Sequence, residues 1–585
     1  MIRRHRAAAR RRLLPWLLGG AVIACFVLAG AFAWDAVRIK GSTDALASHA
    51  RAAKEAIADA DIDALRAEVA VVEAEAQAFA GSTDGPHWWL ATHTPWVEAQ
   101  AVPIVEAAGA VEAMAEDALT PLAGMEDLSA LAAPEVVDGR LDPHLFEPYR
   151  ATLAQASEAL DGAATRLDRV DLGATVDAVA TAFRDVEGQL GEVRSMVTGA
   201  HVAAELFPSM LAADGERHYL VMVQNNAEPR TTGGIPGAVI ELVVRDGVLS
   251  IGRYAPASSM VDHEGVGGLT ADEERLFGDL MEVYPQDVNF TPEYPRSGEM
   301  MTRFWTAEYG ESVDGVLSID PVAMGWMLEG SSPVEVGPFA ITAENFAQVV
   351  LNEAYFTFED PAEQDAFFAQ ASSRIFSTVL AGGGSALGAV ERAIDAGRLM
   401  LWSADAHEQE LLAPTSIGGE FLGLDDAIGL FLNDGSESKI GWYIDTETTV
   451  TDHLCTDGSL AGQTVELALT HTYDGAVANL PDYISGGNVA VPAGEFHTNV
   501  LLYPAEGTGV TKFTQDGRDA RLNPETHDGR TLATARVALE PGQSTTLSFE
   551  IAANGGEVEA PTLVETPGPK PNVYTRSADA LVDGC

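Results

Sequence analysis

Cysteine and positive charge are both scarce in this sequence. Its 585 residues include 3 Cys, and 35 Lys plus Arg stand against 87 Asp plus Glu, a formal net charge of -52. Three thiols cannot build a disulfide-framework miniprotein or a Cys-rich zinc module. A nucleic-acid binder needs a basic footprint to neutralise phosphates, so the charge balance excludes that class. The common catalytic signatures are missing as well. There is no G-x-x-x-x-G-K-S/T, no EF-hand loop and no G-x-S-x-G, and His407-Glu408 lacks the second His of H-E-x-x-H. Ser436-Glu437-Ser438-Lys439 has the S-x-x-K spacing, but it lies in a Gly/Asp turn ahead of a strand pattern rather than opening a helix. It is read as a chance match.

What is present reads as a multidomain, membrane-anchored chain. Apolar residues make up 46% and charged residues 21%, enough to bury several cores. Arg3, Arg4, Arg6, Arg10, Arg11 and Arg12 precede an uncharged run of 22 residues from Leu13 to Trp34. That length crosses a hydrocarbon core of roughly 30 Å as a helix. The arginines orient it with residues 1–12 as a cytoplasmic tail and everything after Asp35 outside, anchored to the plasma membrane. Ala31-Phe32-Ala33 also fits a signal-peptidase site, but the apolar run exceeds the usual signal core and favours an anchor.

Residues 35–205 are expected to form a helical bundle or stalk. Leu46, Ala50, Ala53, Ile57 and Ala60 step by 4 and 3, as do Leu65, Val69, Val72, Ala76 and Phe79, and Val176 through Phe183, Leu190 and Val197. Trp88, Trp89 and Trp96 cluster between two of these helices. They fit either a helical hairpin cap or a belt at headgroup level, and the cap is favoured.

Residues 206–435 mix strands and helices, as in a single α/β domain. His218–Val223 and Ala238–Val244 are apolar runs suited to buried strands, and Arg245-Asp246-Gly247 turns into a further strand. Val313–Ile319 is another strand candidate, followed by helical patterns at 321–330, 342–352 and 361–380. Residues 436–585 read as an antiparallel β-sandwich, with Val465, Leu467 and Leu469, then Phe496, Val500 and Leu502, then Leu547, Phe549 and Ile551 alternating with polar neighbours. Cys455 and Cys585, the two cysteines outside the apolar run, are expected to pair.

The polar segment Gln224–Gly237 joins two apolar strands and is expected as a loop at a sheet edge, where α/β domains place ligands. Asn225, Asn226, Glu228, Arg230 and Thr231 offer donors and acceptors, and Gly233 and Gly234 let backbone N–H groups approach a ligand. A rigid turn in which Glu228 pairs with Arg230 is the competing reading.

From Tyr219 to Gly237, with the Trp-Trp…Thr-Pro-Trp cluster upstream, the chain resembles the actinobacterial membrane-anchored family named domain of unknown function four-thousand-twelve. The resemblance extends over most of the chain. That family distantly resembles the LytR-CpsA-Psr phosphotransferases, which attach polyprenyl-pyrophosphate-linked glycopolymers to cell walls. The shared order is a strand, the Arg230-Thr231 step, a hairpin ending Ser250-Ile251-Gly252-Arg253, and Val313–Asp320 before a helix. In place of those enzymes' Asp after the Arg stands Tyr254, and where they carry paired Arg stand Asn352, Glu353 and Glu359-Asp360. The resemblance implies an envelope protein that binds or transfers a cell-wall glycopolymer or its prenyl-phosphate-linked precursor, as a divergent phosphotransferase or a binding protein. Its anion site would place Arg230, Arg253 and Arg296 on phosphate, with Glu228 orienting Arg230 or holding Mg²⁺. A non-catalytic scaffold is the alternative. A deep pocket lined by Arg230 and Arg253 would favour the first reading, and a filled core there the second.

Overall fold

The computed structural model of the chain describes residues 28, 30–53, 56, 61–125, 139–382, 385–455, 460–553 and 561–582. Most of the uncharged run Leu13–Trp34 lies outside them, as does Cys585. Among the described residues no helix is long and apolar enough to cross a membrane. The chain divides into two compact units, one of residues 1–131 and 146–205, the other of residues 132–145 and 206–585.

The first unit is helical, as its 3-and-4 spacing requires. Helices cover residues 30–53, Ile62–Thr83, Pro86–Ala91, Glu98–Ala113 and Arg150–Leu167, and the long helix Asp177–Met210 begins in it. Asp61 caps the second of these by accepting from the Ala64 N–H. Its seam residues Val69, Val72, Ala76 and Phe79 are buried. Small side chains let the helices approach closely: Ala107, Ala110, Ala156 and Ala163 share a core with Leu160, Phe183, Leu190 and Val197. Val176, expected on that seam, is exposed.

The second unit contains a five-stranded mixed sheet and a sandwich. The mixed sheet is built from β1 (Arg217–Arg230), β2 (Gly233–Arg245), β3 (Val248–Pro256), β4 (Gly315–Ile319) and β7 (Leu399–Ser403), in the order β3-β2-β1-β4-β7. A separate hairpin, β5 (Val334–Val336) and β6 (Phe339–Ile341), lies between β4 and β7 in sequence. In the main sheet β1 and β4 run parallel and the other neighbours antiparallel. Both faces of β1 are covered, which is why its first half reads as an unbroken apolar run. Leu220 and Met222 pack with Tyr294, Met301, Phe304 and Trp305 of the helix Tyr294–Tyr309, while Tyr219 packs with Leu242 and Val244 on the other face. The β2–β3 turn has Asp246 at φ 45° and Gly247 at φ 72°, the two left-handed residues that a two-residue hairpin turn needs.

The sandwich starts earlier than its alternation suggests, with β8 (Ala427–Asp434). Then come β9 (Ile444–Cys455), β10 (Leu460–His471), β11 (Phe496–Tyr503), β12 (Gly509–Gln515), β13 (Arg518–Asp519), β14 (Asn523–His527), β15 (Arg530–Leu539), β16 (Ser544–Ala552), β17 (Thr562–Glu565) and β18 (Val573–Val582). They form sheets ordered β13-β12-β16-β10-β9-β18 and β14-β15-β11-β8-β17. Val465, Leu467, Leu469, Phe496, Val500, Leu502, Leu547, Phe549 and Ile551 all enter the core between them. The expectation of a purely antiparallel sandwich is corrected at two edges: β17 runs parallel to β8, and β18 parallel to β9. The last segment thus retraces the path of β8 and β9, and residues 566–572 cross between the sheets. In that register Val582 lies opposite Cys455.

Candidate functional site

The segment Gln224–Gly237 is not a loop. β1 continues through it to Arg230, β2 begins at Gly233, and only Thr231 and Thr232 connect them. Two register shifts, at Val223/Gln224 and between Asn225 and Pro229, take up the polar residues without ending the strand. The hairpin tip is buried, from Gln224 through Thr232, so each polar group in it must find a partner.

Those partners come from distant segments of the same unit. Arg230 Nε and Nη2 both donate to Asp287 Oδ1, at 3.0 and 2.7 Å, and the guanidinium lies over the Phe290 ring. Asp287, Asn289 and Phe290 belong to the turn Pro285–Phe290. Burial works against the Arg230 charge, but Asp287, Asp434 and Glu228 outweigh it and hold its pKa above the ordinary value. Glu228 does not orient Arg230. Its Oε1 accepts from Lys439 Nζ at 2.6 Å, and both side chains are buried. Lys439 lies over the rings of Tyr355 and Tyr483. Burial alone would depress the Lys439 pKa, and Glu228 more than reverses this, so the lysine stays protonated.

The remaining tip residues are tied in the same manner. Asn225 Nδ2 donates to the Tyr355 hydroxyl at 3.2 Å, and Asn226 Nδ2 donates to Asp320 Oδ2 and to the Pro567 carbonyl. The Thr231 N–H donates to Asn433 Oδ1, its hydroxyl to the Phe290 carbonyl, and Thr566 Oγ1 donates to the Thr231 carbonyl. Gly233 and Gly234 serve packing: a Cβ on Gly234 would sit 2.2 Å from the Asn225 carbonyl oxygen, and one on Gly233 2.0 Å from Gln224 Oε1. Several buried polar atoms near this tip have no protein partner among the described residues, including Gln224 Nε2, Asn226 Oδ1, Thr232 Oγ1, Asn289 Oδ1, Asp434 Oδ1 and Ser438 Oγ. Burial raises the Asp434 pKa to about 7.

The expected convergence of Arg230 with Arg253 is not found. Arg253 donates its backbone N–H to Glu241, which pairs with Leu220, ten residues before Arg230 along β1. Its guanidinium pairs with Glu311 at 2.9 Å and lies over the Tyr309 ring. At about 3.3 Å per strand residue the two side chains belong to opposite ends of the sheet. Arg296 is bound to Glu273 at 2.8 Å and to Glu299. Each arginine expected on phosphate therefore faces a carboxylate. For Mg²⁺, Glu228 already faces an ammonium, and no group of three or more His, Cys, Asp or Glu among the described residues is placed to hold a metal ion.

Lys439 was visible in the sequence only as the end of the S-x-x-K spacing. In the structure Ser436 Oγ exchanges hydrogen bonds with the His497 backbone, while Lys439 is held as an ammonium by Glu228. A general base must be deprotonated to take a proton from a serine, so this pair does not form a Ser–Lys dyad. Beside Asn226 opens a cavity of about 270 Å³. Leu430, Leu432, Leu467 and Phe496 line it on the apolar side, with Glu565 and the crossing segment Thr566–Asn572 around them. Burial raises the Glu565 pKa, Thr448 Oγ1 donates to that carboxyl, and Lys570 is paired with Asp445 at 2.8 Å. The lining thus has an apolar floor and no unpaired cation among its described residues.

No curated protein and no solved structure matches the chain. A family model does, over about a quarter of the length rather than most of it. The matched stretch holds β1 to β4, the buried tip and the helices as far as Tyr355, the residue that receives the Asn225 amide. Residues 214–355 match the model of the family described as a protein of unknown function, DUF4012.

Proposed function

We propose that the protein is a membrane-anchored, extracytoplasmic ectodomain that acts as a non-catalytic scaffold in the cell envelope. The observation that carries this reading is the filled hairpin tip. Where a LytR-CpsA-Psr-like phosphotransferase needs open cations for a diphosphate, Arg230 is saturated by Asp287 and Lys439 by Glu228, with both pairs buried. A phosphate entering there would have to displace carboxylates that already satisfy those cations. The address rests on the six N-terminal arginines and the uncharged run Leu13–Trp34.

The test is lipid mass spectrometry on the full chain purified in its native membrane, together with urea unfolding with and without pyrophosphate and Mg²⁺. The scaffold reading expects no prenyl phosphate and an unchanged unfolding midpoint. A co-purifying prenyl phosphate, or stabilisation by pyrophosphate that Arg230→Met abolishes, would overturn it.

One observation favours glycopolymer binding without phosphate chemistry as a second reading. The Asn226 amide oxygen has no protein partner among the described residues, and Asn226 lines the 270 Å³ cavity, whose apolar floor and paired charges suit a neutral hydroxyl-bearing ligand better than an anion. A saccharide retained through purification by the wild type and lost in Asn226→Leu would support it.

A further inference from the structure

We propose that the turn Gly85–Val97 of the helical unit rests on the membrane interface, as a second contact beside the anchor. This rests on the anchored reading above. The thirteen residues Gly85–Val97 contain no Asp, Glu, Lys or Arg, in a chain where 87 of 585 residues are acidic. The structure divides the three tryptophans of this turn by role. Trp88 is buried and packs the hairpin cap, while Trp89 is 65% and Trp96 92% exposed. Trp96 also adopts φ 74°, a left-handed backbone that is unusual for so bulky a residue and that presents the indole to the outside.

The end of the uncharged N-terminal run is fixed to the same turn. Asp35 Oδ2 lies 2.6 Å from His87 Nε2 and accepts from Trp88 Nε1 at 3.2 Å. Phe32 sits edge-on to both rings, 4.9 Å from His87 and 5.2 Å from Trp88 between centroids. Trp34, the last residue of the run, is 69% exposed. The first turn of the helix that follows, Glu98–Ala113, is joined to residues 174–176, since Gln100 donates to the Ala174 carbonyl and accepts from the Val176 N–H. Trp34, Trp89, Leu90, Trp96, Val97 and Val176 are thus exposed apolar groups at one end of this unit, the end that receives the chain from the anchor.

The occupant follows from that position. A helix leaving a bilayer at Trp34 places the clamped turn at the level of the headgroups, where an indole keeps its ring in a partly apolar layer and its N–H in water. An acidic ectodomain is repelled by anionic lipid, and only an uncharged patch can settle there without that cost. An exposed cluster of large apolar residues on a soluble unit otherwise marks an unfilled contact.

The experiment uses the full chain in phosphatidylcholine nanodiscs. Tryptophan emission is compared between the wild type and the Trp89→Ala/Trp96→Ala variant, with a nitroxide lipid labelled near the headgroup as one quencher and aqueous acrylamide as the other. Both positions are exposed, so an unchanged urea midpoint serves as the folding control. The difference emission is expected to fall at least twofold with the nitroxide lipid and to resist acrylamide. Quenching of that emission by acrylamide but not by nitroxide overturns the contact while leaving the anchor standing. Protection from both quenchers, with two chains per disc, means that a second copy covers the patch and overturns it too. A chain that does not enter discs at all, and washes from membranes with carbonate, overturns the anchor and the contact together.

Discussion

Lys439 Nζ and Glu228 Oε1 meet at 2.6 Å across 211 residues of chain, joining the tip of the central hairpin to the turn that leads into β9. The pair ties the mixed sheet to the segment that opens the sandwich through a buried ionic contact. Lys439 is the counter-ion that Glu228 lacks within its own strand, since Arg230 is taken by Asp287.

Replacing Lys439 by Met should destabilise the protein by about 3–5 kcal/mol, because the Glu228 carboxylate is left buried without a counter-charge. The Glu228→Gln/Lys439→Met double variant should recover most of that loss. Urea unfolding of the two single variants and the double closes the cycle. Single losses that merely add would show that the contact carries no coupling.

Asp434 gives the unit a stability that falls with rising pH. Its folded pKa is about 7, against 3.8 for an ordinary aspartate, with burial as the main cause and Arg230 opposing it. Between about pH 4 and pH 7 the folded state therefore holds a proton that the unfolded state has released, and stability declines across that window. Below pH 4 and above pH 7 the contribution is flat. Asp434→Asn keeps an oxygen to accept the Ser436 and Glu437 N–H bonds but has no charge to form. Relative to the wild type the variant should gain stability, on the order of a few kcal/mol, as pH rises from 4 to 7.5. Paired urea titrations at the two pH values check this, and an offset that does not change with pH would contradict it.

The strands were legible where local pattern determines structure. Tyr219–Val223 and Ala238–Val244 are apolar because both faces of the sheet are covered, and Asp246-Gly247 has the side chains that its left-handed turn requires. The sandwich core was legible from alternation for the same reason. The hairpin tip was not, because every partner of Asn226, Glu228, Arg230 and Thr231 that holds it extended lies dozens to hundreds of residues away. A buried ion pair at such separation leaves no periodic trace. The parallel edge strands β17 and β18 were hidden too, since Tyr574-Thr575-Arg576-Ser577 shows no strong apolar alternation and relies on the register of β9. The tryptophan cluster was legible as a feature, but its division into one buried and two exposed rings needed the fold.

The register of β18 bears on the expected disulfide. Val582 lies opposite Cys455, three residues before Cys585. Closing a loop of about 130 residues is worth roughly 4–5 kcal/mol in the chain-entropy account. Cys455→Ser should lower stability by about that amount and free the end of β18 for proteolysis. Alkylation of the denatured full chain should add one group without reductant, at Cys25, and three after reduction. Three groups without reductant would reject the bond.

Arg230 and Arg253, both expected at one anion site, should behave very differently on substitution. Arg230 is buried, donates twice to one oxygen of Asp287 and covers Phe290. Arg230→Met leaves Asp287 buried and uncompensated, at a cost of about 3–5 kcal/mol. Arg230→Lys should recover only part of this, because an ammonium cannot reproduce the planar two-donor contact or the stacking. Arg253 pairs with Glu311 in water, where the interaction is screened, so Arg253→Ala should leave the unfolding midpoint nearly unchanged. A shared anion site would instead make both variants stabilising at low salt, since each would relieve repulsion between two cations facing one pocket. Urea midpoints of the three variants at 20 mM and 500 mM salt separate the cases. A large loss at Arg230 with no change at Arg253 is the expected result, and stabilisation of both at low salt would restore the convergent site.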